Sequence, residues 1–325
     1  MKKGINRFKV IFSAGAAILL SACSQLFPGN SSPTAELSYL VIETNNERVL
    51  FAQNANERKN IGMLANVATA VVIADWIQAK NISLDTTLLV PAEACQWPSS
   101  NLLHLRPGDR VSLRDALHSA LMWDDSAATY TMAWECGKSL HAADPEGAFL
   151  LQLETMATQT LGMKQAHFRG LSGAVKSSAS ARDMALLGTY AIEKPLIQAI
   201  CSKPEYTATV ISADGSTRPV QIINTNRLLG AQGVDGLRAA ASGSAGYCIM
   251  ASARRGSVKA NNPALGAKQS TYAQRLLVVI LGMPNANHRD NKAAALLRDG
   301  WKSWEIWQTS SDMTDQSKFI RLPKH

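Results

Sequence analysis

Residues 60–80, NIGMLANVATAVVIADWIQAK, restrict the fold more than any other part of the chain. The run reads as one long helix whose apolar positions go nearly all the way round. Such a helix has no face to give to water, so it must be enclosed by the rest of the protein. The chain has the material to enclose it: 325 residues, 46% of them hydrophobic, suffice for one large domain or two modest ones.

The surroundings of that helix can be read in chain order. SYLVIETNNERVLFAQN holds two short β-rich runs around Asn45-Asn46, the pattern of a hairpin. Residues 82–113 read as loops and short strands. SLRDALHSALMWDDSAATYTMAWECG reads as two consecutive helices, with Ser112 as N-cap and Gly137 as the end. A helix follows over 146–161, and another in SARDMALLGTYAIEKPLI, capped by Ser180 and followed by Pro195. Strand-like runs lie near 206–212, 217–223, 246–253 and 275–283, and NKAAALLRDGWKSWEIWQ closes the fold as an amphipathic helix. Strands come first and last with helices between. That order predicts an α+β fold in which the terminal strands share a sheet and the middle forms a helical subdomain.

The N-terminus reads as a separate segment. Lys2, Lys3, Arg7 and Lys9 precede the short apolar run VIFSAGAAILL, the layout of a secretory signal rather than a membrane span. It ends in Leu20-Ser21-Ala22-Cys23, which resembles a bacterial lipobox. The resemblance implies a signal over 1–22, lipidation of Cys23, and anchoring to a membrane through that lipid. Ser24, where an Asp would direct retention, implies the periplasmic side of the outer membrane. Residues 23–36 are expected to form a flexible tether and 309–325 a polar tail. No other apolar stretch reads as long enough to span a bilayer.

Charge and cysteine usage exclude several partners. The whole chain carries +8, but four basic and no acidic residues fall within 1–22. Removing them leaves 29 basic against 25 acidic residues, a net charge of +4 that does not call for nucleic acid. Cys95, Cys136, Cys201 and Cys248 would then sit in an oxidising compartment, where four cysteines allow three pairings. Cys248 lies in an apolar run that suits a buried thiol. No Cys or His spacing suits a metal, and no cofactor is expected.

Four stretches carry a resemblance: VIETNNERVLFAQNANERKNIGMLANVATAVV, LRPGDRVSLRDALHSALMWDDSAATYTMA, SSASARDMALL, and NTNRLLGAQGVDGLRAAASGSAGYCIMASARRG followed by LLVVILGMPN. In this order and spacing the chain resembles the low-molecular-mass penicillin-binding proteins, the serine D-alanyl-D-alanine carboxypeptidases of peptidoglycan metabolism. The resemblance implies a DD-peptidase/β-lactamase-like α+β domain over 37–308, an antiparallel sheet flanked by helices plus a helical subdomain. The family usually adds a C-terminal β-domain, and from the length that follows the matched stretches none is expected here.

The family works through three motifs. A Ser-x-x-Lys at the start of a buried helix sets an amine one turn from a nucleophilic hydroxyl. A Ser-x-Asn serves proton relay and substrate binding, and a Lys-Thr/Ser-Gly on a strand holds the substrate carboxylate. Here the first slot falls on Met63 and Asn66, the second on Trp123 to Asp125, and the third on Arg238, Ala239 and Ala240. Ser-x-x-Lys, Lys-Thr-Gly and Lys-Ser-Gly occur nowhere in the chain, and Ser99-Ser100-Asn101 matches Ser-x-Asn outside the expected helix. This pattern predicts a chain that is not an enzyme: an envelope lipoprotein serving as scaffold or as a peptide- or peptidoglycan-binding module, with a secretion or conjugation machine as one setting. Trp123 and Met63 would fill the cleft. Arg238, Trp123 and Asp125 are the expected ligand-binding residues, with Arg238 either pairing with a substrate carboxylate or bridging to Asp124 or Asp125. The alternative is an active D-Ala-D-Ala carboxypeptidase or other peptidoglycan hydrolase with a non-standard nucleophile. For that reading the residues to watch are Ser119, Ser242, Ser244, His104, His118, His167 and the pair Asp124-Asp125.

Overall fold

The structure, a computed structural model, describes residues 37–45, 47–97, 100–260 and 270–309, with the backbone alone for 257–260, 270–273 and 306–309. The expected signal, Cys23, the tether and residues 310–325 lie outside the described residues.

The chain opens with β1 (Ser38–Glu43) and β2 (Arg48–Gln53), the expected antiparallel hairpin, with a register shift at Val41/Ile42. Next come β3 (Lys59–Asn60), a single 3-10 turn and helix α1 (Ala65–Lys80). Asn81, in the left-handed conformation, ends α1 and donates its N–H back to the last turn. Beyond it lie β4 (Thr87–Leu89), β5 (Arg110–Ser112), α2 (Leu113–Met122), α3 (Ser126–Leu140) and α4 (Pro145–Thr155), the last continued by one π turn. Then follow β6 (Ser178–Ala179), α5 (Ala181–Ile192), α6 (Pro195–Cys201), β7 (Glu205–Ile211), β8 (Thr217–Ile223), β9 (Val234–Ser242), β10 (Gly246–Ala260), β11 (Ser270–Met283) and α7 (Ala286–Thr309).

The main sheet has the order β2-β1-β11-β10-β9 and is antiparallel throughout, so the first and last strands are neighbours as expected. Both of its faces are covered, which is why RLLVVILGM reads as an unbroken apolar run rather than an alternating one. Leu277, Val279 and Leu281 of β11 enter the large core shared with α1, α2, α3 and α5. Their neighbours Leu276, Val278 and Ile280 pack with Ala293, Leu296, Leu297 and Trp301 of α7. Helix α1 fills the centre of the large core. With its preceding turn, residues 62–80, it is, contrary to the sequence expectation, long and apolar enough to cross a membrane by length and composition alone, but 78% of its most apolar 18-residue window is buried inside this domain.

The sequence reading needs three adjustments. Gly137 does not end α3, which runs to Leu140; a Cβ there would lie 1.9 Å from the carbonyl oxygen of Pro145, so the glycine lets α4 start against α3. Pro195 opens a new helix, α6, instead of only stopping the one before it. β9 is a full strand where the Arg238-Ala-Ala run offers no β-branched residue to signal one. Two smaller sheets, β4-β5-β7-β8 and β3-β6, complete the fold. The caps were legible: Ser112 Oγ accepts from Asp115 N, and Ser180 with Asp183 forms a reciprocal capping box. Cys95, Cys136, Cys201 and Cys248 are all free thiols, and burial pushes Cys136 and Cys201 up to about 12 and Cys248 up to about 11.

Candidate functional site

Helix α2 ends in front of β9, and its last carbonyls have no helical N–H to accept from. Arg238 of β9 supplies donors to them. Its side chain is wholly buried, with Nε donating to Met63 O (3.2 Å), one terminal nitrogen to Ala120 O, and the other to Trp123 O (2.7 Å) and the Asp124 carboxylate (2.6 Å). A cation at a helix C-terminus is favourable, and the carboxylate compensates its burial. Arg238 thus ties β9 to the start of α1 and the end of α2.

Asp125 is fully buried beside this junction as the N-cap of α3. It accepts from Ala128 N, Leu103 N and the Ser119 hydroxyl, at 2.8–2.9 Å. Burial pushes its carboxyl up, and these hydrogen bonds oppose that shift. Asn66 is also fully buried: its Oδ1 accepts from Gly173 N at 2.7 Å, while Nδ2 has no partner among the described residues. Met63 is nearly buried, and the hydroxyl of Ser126 lies 3.4 Å from its Sδ.

An open groove of about 520 Å³ lies over this junction. Met63 and Asp124 line it, with Trp97, Ser100 and Leu102 from the loop before β5, Gly173, Ala174 and Lys176 from the loop before β6, Ala241 and Ser242 from the end of β9, and Gly243 and Ser244 from the turn after it. Gly62 permits this closeness: its φ is +49°, and a Cβ there would fall 2.3 Å from Ser242 Oγ. Asn60 Nδ2 donates to Ser244 Oγ at 2.9 Å, and Ser242 Oγ accepts from Ala245 N. β9 is an edge strand of its sheet.

The expected site residues fall on both sides of the groove wall. Met63 lines it. Trp123 does not, so no indole of that residue fills the cleft, and the aromatic side chain present is Trp97. Arg238 and Asp125 are buried behind the wall with their polar atoms engaged, which corrects their expected ligand-binding role; of the two weighed pairings, Arg238 makes the bridge to Asp124. Ala239 and Ala240 are core residues. Ser119 is buried against Asp125, whereas Ser242 and Ser244 line the groove. His104, His118 and His167 lie outside the lining. Ser99 is outside the described residues, Ser100 lines the groove, and Asn101 is turned away, closing its own loop on Leu105. Trp97, Lys176 and Ser126 were not read from the sequence. They come from segments far apart in the chain, and only the fold brings them to Met63.

A family model described as D-alanyl-D-alanine carboxypeptidase matches residues 29–269, well over half of the chain. The D-alanyl-D-alanine carboxypeptidase of Streptomyces sp. strain K15 is 25% identical over 214 residues, covering 64% of this chain and 72% of that protein. DacC of Escherichia coli K12, of the same description, is 26% identical over 307 residues, covering 90% and 69%. DacA of the same strain is 28% identical over 255 residues, covering 75% and 59%. The chain therefore spans between 59% and 72% of the length of these relatives. Among solved structures, the Streptomyces K15 DD-transpeptidase superposes with a TM-score of 0.67 at 20% identity, covering 80% of this chain and 94% of that one. Penicillin-binding protein D2 of Listeria monocytogenes, in its ampicillin-bound form, gives 0.59 at 23% identity, covering 81% and 95%. These likenesses establish the fold.

The comparisons overturn the expectation that the chain is not an enzyme, since the family and these relatives are named for an enzymatic activity. The expectation rested on three short sequence patterns. The groove that the fold builds presents the hydroxyls of Ser100, Ser242 and Ser244 in addition to those patterns' positions.

Proposed function

Because this chain belongs to the D-alanyl-D-alanine carboxypeptidase family, we propose that its groove takes peptides ending in D-alanyl-D-alanine, the stem peptides of peptidoglycan, and acts on them as a serine-type carboxypeptidase with a non-standard nucleophile. The observation that carries this reading is the groove itself, bounded by the end of the edge strand β9 and by Gly243 and Ser244 of the turn after it. An extended peptide can add to such an edge through its backbone while its end enters the groove. Acyl transfer needs an oxygen or sulfur nucleophile, and the thioether of Met63 is neither a hydroxyl nor a thiol. Among the described residues, the serines that line the groove are Ser100, Ser242 and Ser244. Ser244 is the first choice: Asn60 Nδ2 donates to its Oγ and so favours the alkoxide. Because Ser244 is exposed, its proton passes to water as Oγ bonds to the peptide carbonyl carbon, while the departing D-alanine amine takes a proton from water.

The test combines three readings on the purified chain: intact mass after prolonged incubation with a β-lactam, D-alanine release from a D-Ala-D-Ala peptide, and binding of that peptide. The expected result is a single adduct that peptide mapping places on a groove serine, with D-alanine released. Peptide binding without adduct or release would reject the hydroxyl chemistry and keep the substrate class. Absence of all three would overturn the whole reading. The setting we propose is the periplasmic face of the outer membrane, through lipid on Cys23. Labelling with a palmitate analogue that is lost in Cys23→Ala checks it.

A further inference from the structure

Among the described residues, the groove has two charged side chains in its lining, Asp124 and Lys176. Asp124 is already neutralised by Arg238 at 2.6 Å. Lys176 is exposed, and among the described residues no hydrogen bond or ion pair engages its ammonium. Arg238 has no free direction toward the groove, since its guanidinium donates to three backbone carbonyls and to Asp124. The net charge offered to a ligand is therefore positive, and it resides on one side chain.

The surface beside Lys176 continues that charge. β3 pairs with β6, His167 bridges Ser178, Arg58 Nε donates to Gln165 O, and Arg182 Nε donates to Asn56 Oδ1. These links hold residues 56–60 and 162–183 together as one patch. The same two segments carry Arg58, Lys164, Arg169 and Arg182 besides Lys176, and of these Lys164, Arg169, Arg58 and Lys176 are exposed. The two segments hold two acids: Glu57, tied to Lys59 at 3.1 Å, and Asp183, buried in its capping box. Segments with this excess of cations over acids set up a positive potential at their surface, and an anionic ligand is favoured there.

We infer that Lys176 is the carboxylate anchor of the groove, that the cationic patch of β3 and β6 extends it, and that the ligand is a peptide with a free C-terminal carboxylate and further acidic groups. This rests on the proposed function and deepens it by assigning to Lys176 the recognition that a strand cation on β9 would otherwise supply. A flexible ammonium recognises a carboxylate as a point charge, without the bidentate geometry of an arginine.

The test is calorimetric titration of the purified chain with an N-acetylated D-Ala-D-Ala peptide as its free acid and as its C-terminal amide, for the parent, Lys176→Gln and Lys164→Gln/Arg169→Gln. Where turnover occurs, KM replaces Kd. The parent is expected to favour the acid about tenfold, a preference that Lys176→Gln abolishes by weakening the acid alone. The double variant is expected to flatten the salt dependence for a peptide bearing an additional acidic side chain. Equal binding of acid and amide by the parent, or an unchanged preference in Lys176→Gln, would overturn the inference and leave the substrate class standing. Failure of both peptides to bind would overturn both.

Discussion

Arg238 and Lys176 are two cations of one groove with opposite surroundings. Arg238 lies behind Met63 and Asp124, fully buried, with four hydrogen bonds that hold the Met63, Ala120 and Trp123 carbonyls and the Asp124 carboxylate together. Lys176 is part of the lining and is exposed. The difference shows that charge type alone does not make a binding residue. A cation whose donors are all committed to the scaffold fixes the shape of a groove, and one with free donors is available to what enters it.

The largest effect expected from this contrast is on stability. Arg238→Ala would remove the guanidinium donors from the Ala120 and Trp123 carbonyls, one of two donors from the Met63 carbonyl, and the counter-charge from Asp124, at a cost of about 3–5 kcal/mol. In a domain of this size that is a fall in Tm on the order of 10 °C. Lys176→Ala should stay within about 0.5 kcal/mol of the parent. Thermal unfolding of the two variants side by side checks the difference, and equal losses would erase the distinction between them.

A somewhat smaller loss is expected at the start of α1. The double change Met63→Ser with Asn66→Lys removes the thioether that Ser126 touches and puts an ammonium at a position with no exposure. It also removes the acceptor of Gly173 N. An ammonium buried without an anion costs several kcal/mol unless it deprotonates, and a loss of about 3 kcal/mol in urea unfolding is expected. A double variant as stable as the parent would mean that this position reaches water, making it more like Lys176 than Arg238.

The same contrast explains what was legible in the sequence. The hairpin, the buried helix and the shared sheet of first and last strands could be read because β-branched residues and apolar runs report local geometry directly. β9 could not, because Arg238-Ala239-Ala240-Ala241 carries neither bulk nor branching. The motif slots read at Met63, Trp123 and Arg238 place their side chains in the cleft, whereas in the structure Arg238 and Asp125 turn inward and Trp123 stays outside the lining. Direction is set by the end of α2 and the start of α3, where unpaired carbonyls and N–H groups attract these side chains. Lys176 and Trp97 escaped notice because loop residues gain a role only from what the fold brings opposite them.

His118 on α2 sharpens the comparison from another side, as a buried base without a carboxylate on it. Its Nδ1 bonds to Arg114 O at 2.7 Å, its Nε2 faces Lys203 Nζ at 3.1 Å, and its ring stacks on Tyr206, which donates to Asp115. Burial, with the help of Lys203, lowers its pKa from 6.5 to about 4. The unfolded chain therefore binds more protons than the folded one between these values. The contribution of His118 is complete above pH 6.5 and is lost as pH falls toward 4, by about 2 kcal/mol at pH 5. Unfolding free energies measured from pH 7 to 5 should fall in the parent, and the slope should flatten in His118→Gln. An equal slope in both would show that the ring is already charged in the fold.

The smallest expected effect divides Arg238's partners. Asp124 is a quarter exposed, so water already screens its bridge to the guanidinium, and Asp124→Asn keeps an oxygen that accepts from the same nitrogen. The three carbonyls remain in place. The loss should be about 1 kcal/mol, well below that of Arg238→Ala, and raising the salt concentration should reduce it further. The substitution also leaves the positive charge of Arg238 uncompensated behind the groove wall. Binding of the free-acid peptide should tighten slightly while binding of its amide stays constant. Were Asp124→Asn to cost as much as Arg238→Ala, the ion pair rather than the carbonyls of α2 would hold the junction. The groove would then be fixed by a contact that its own ligand could compete for, and the two cations would differ less than their burial suggests.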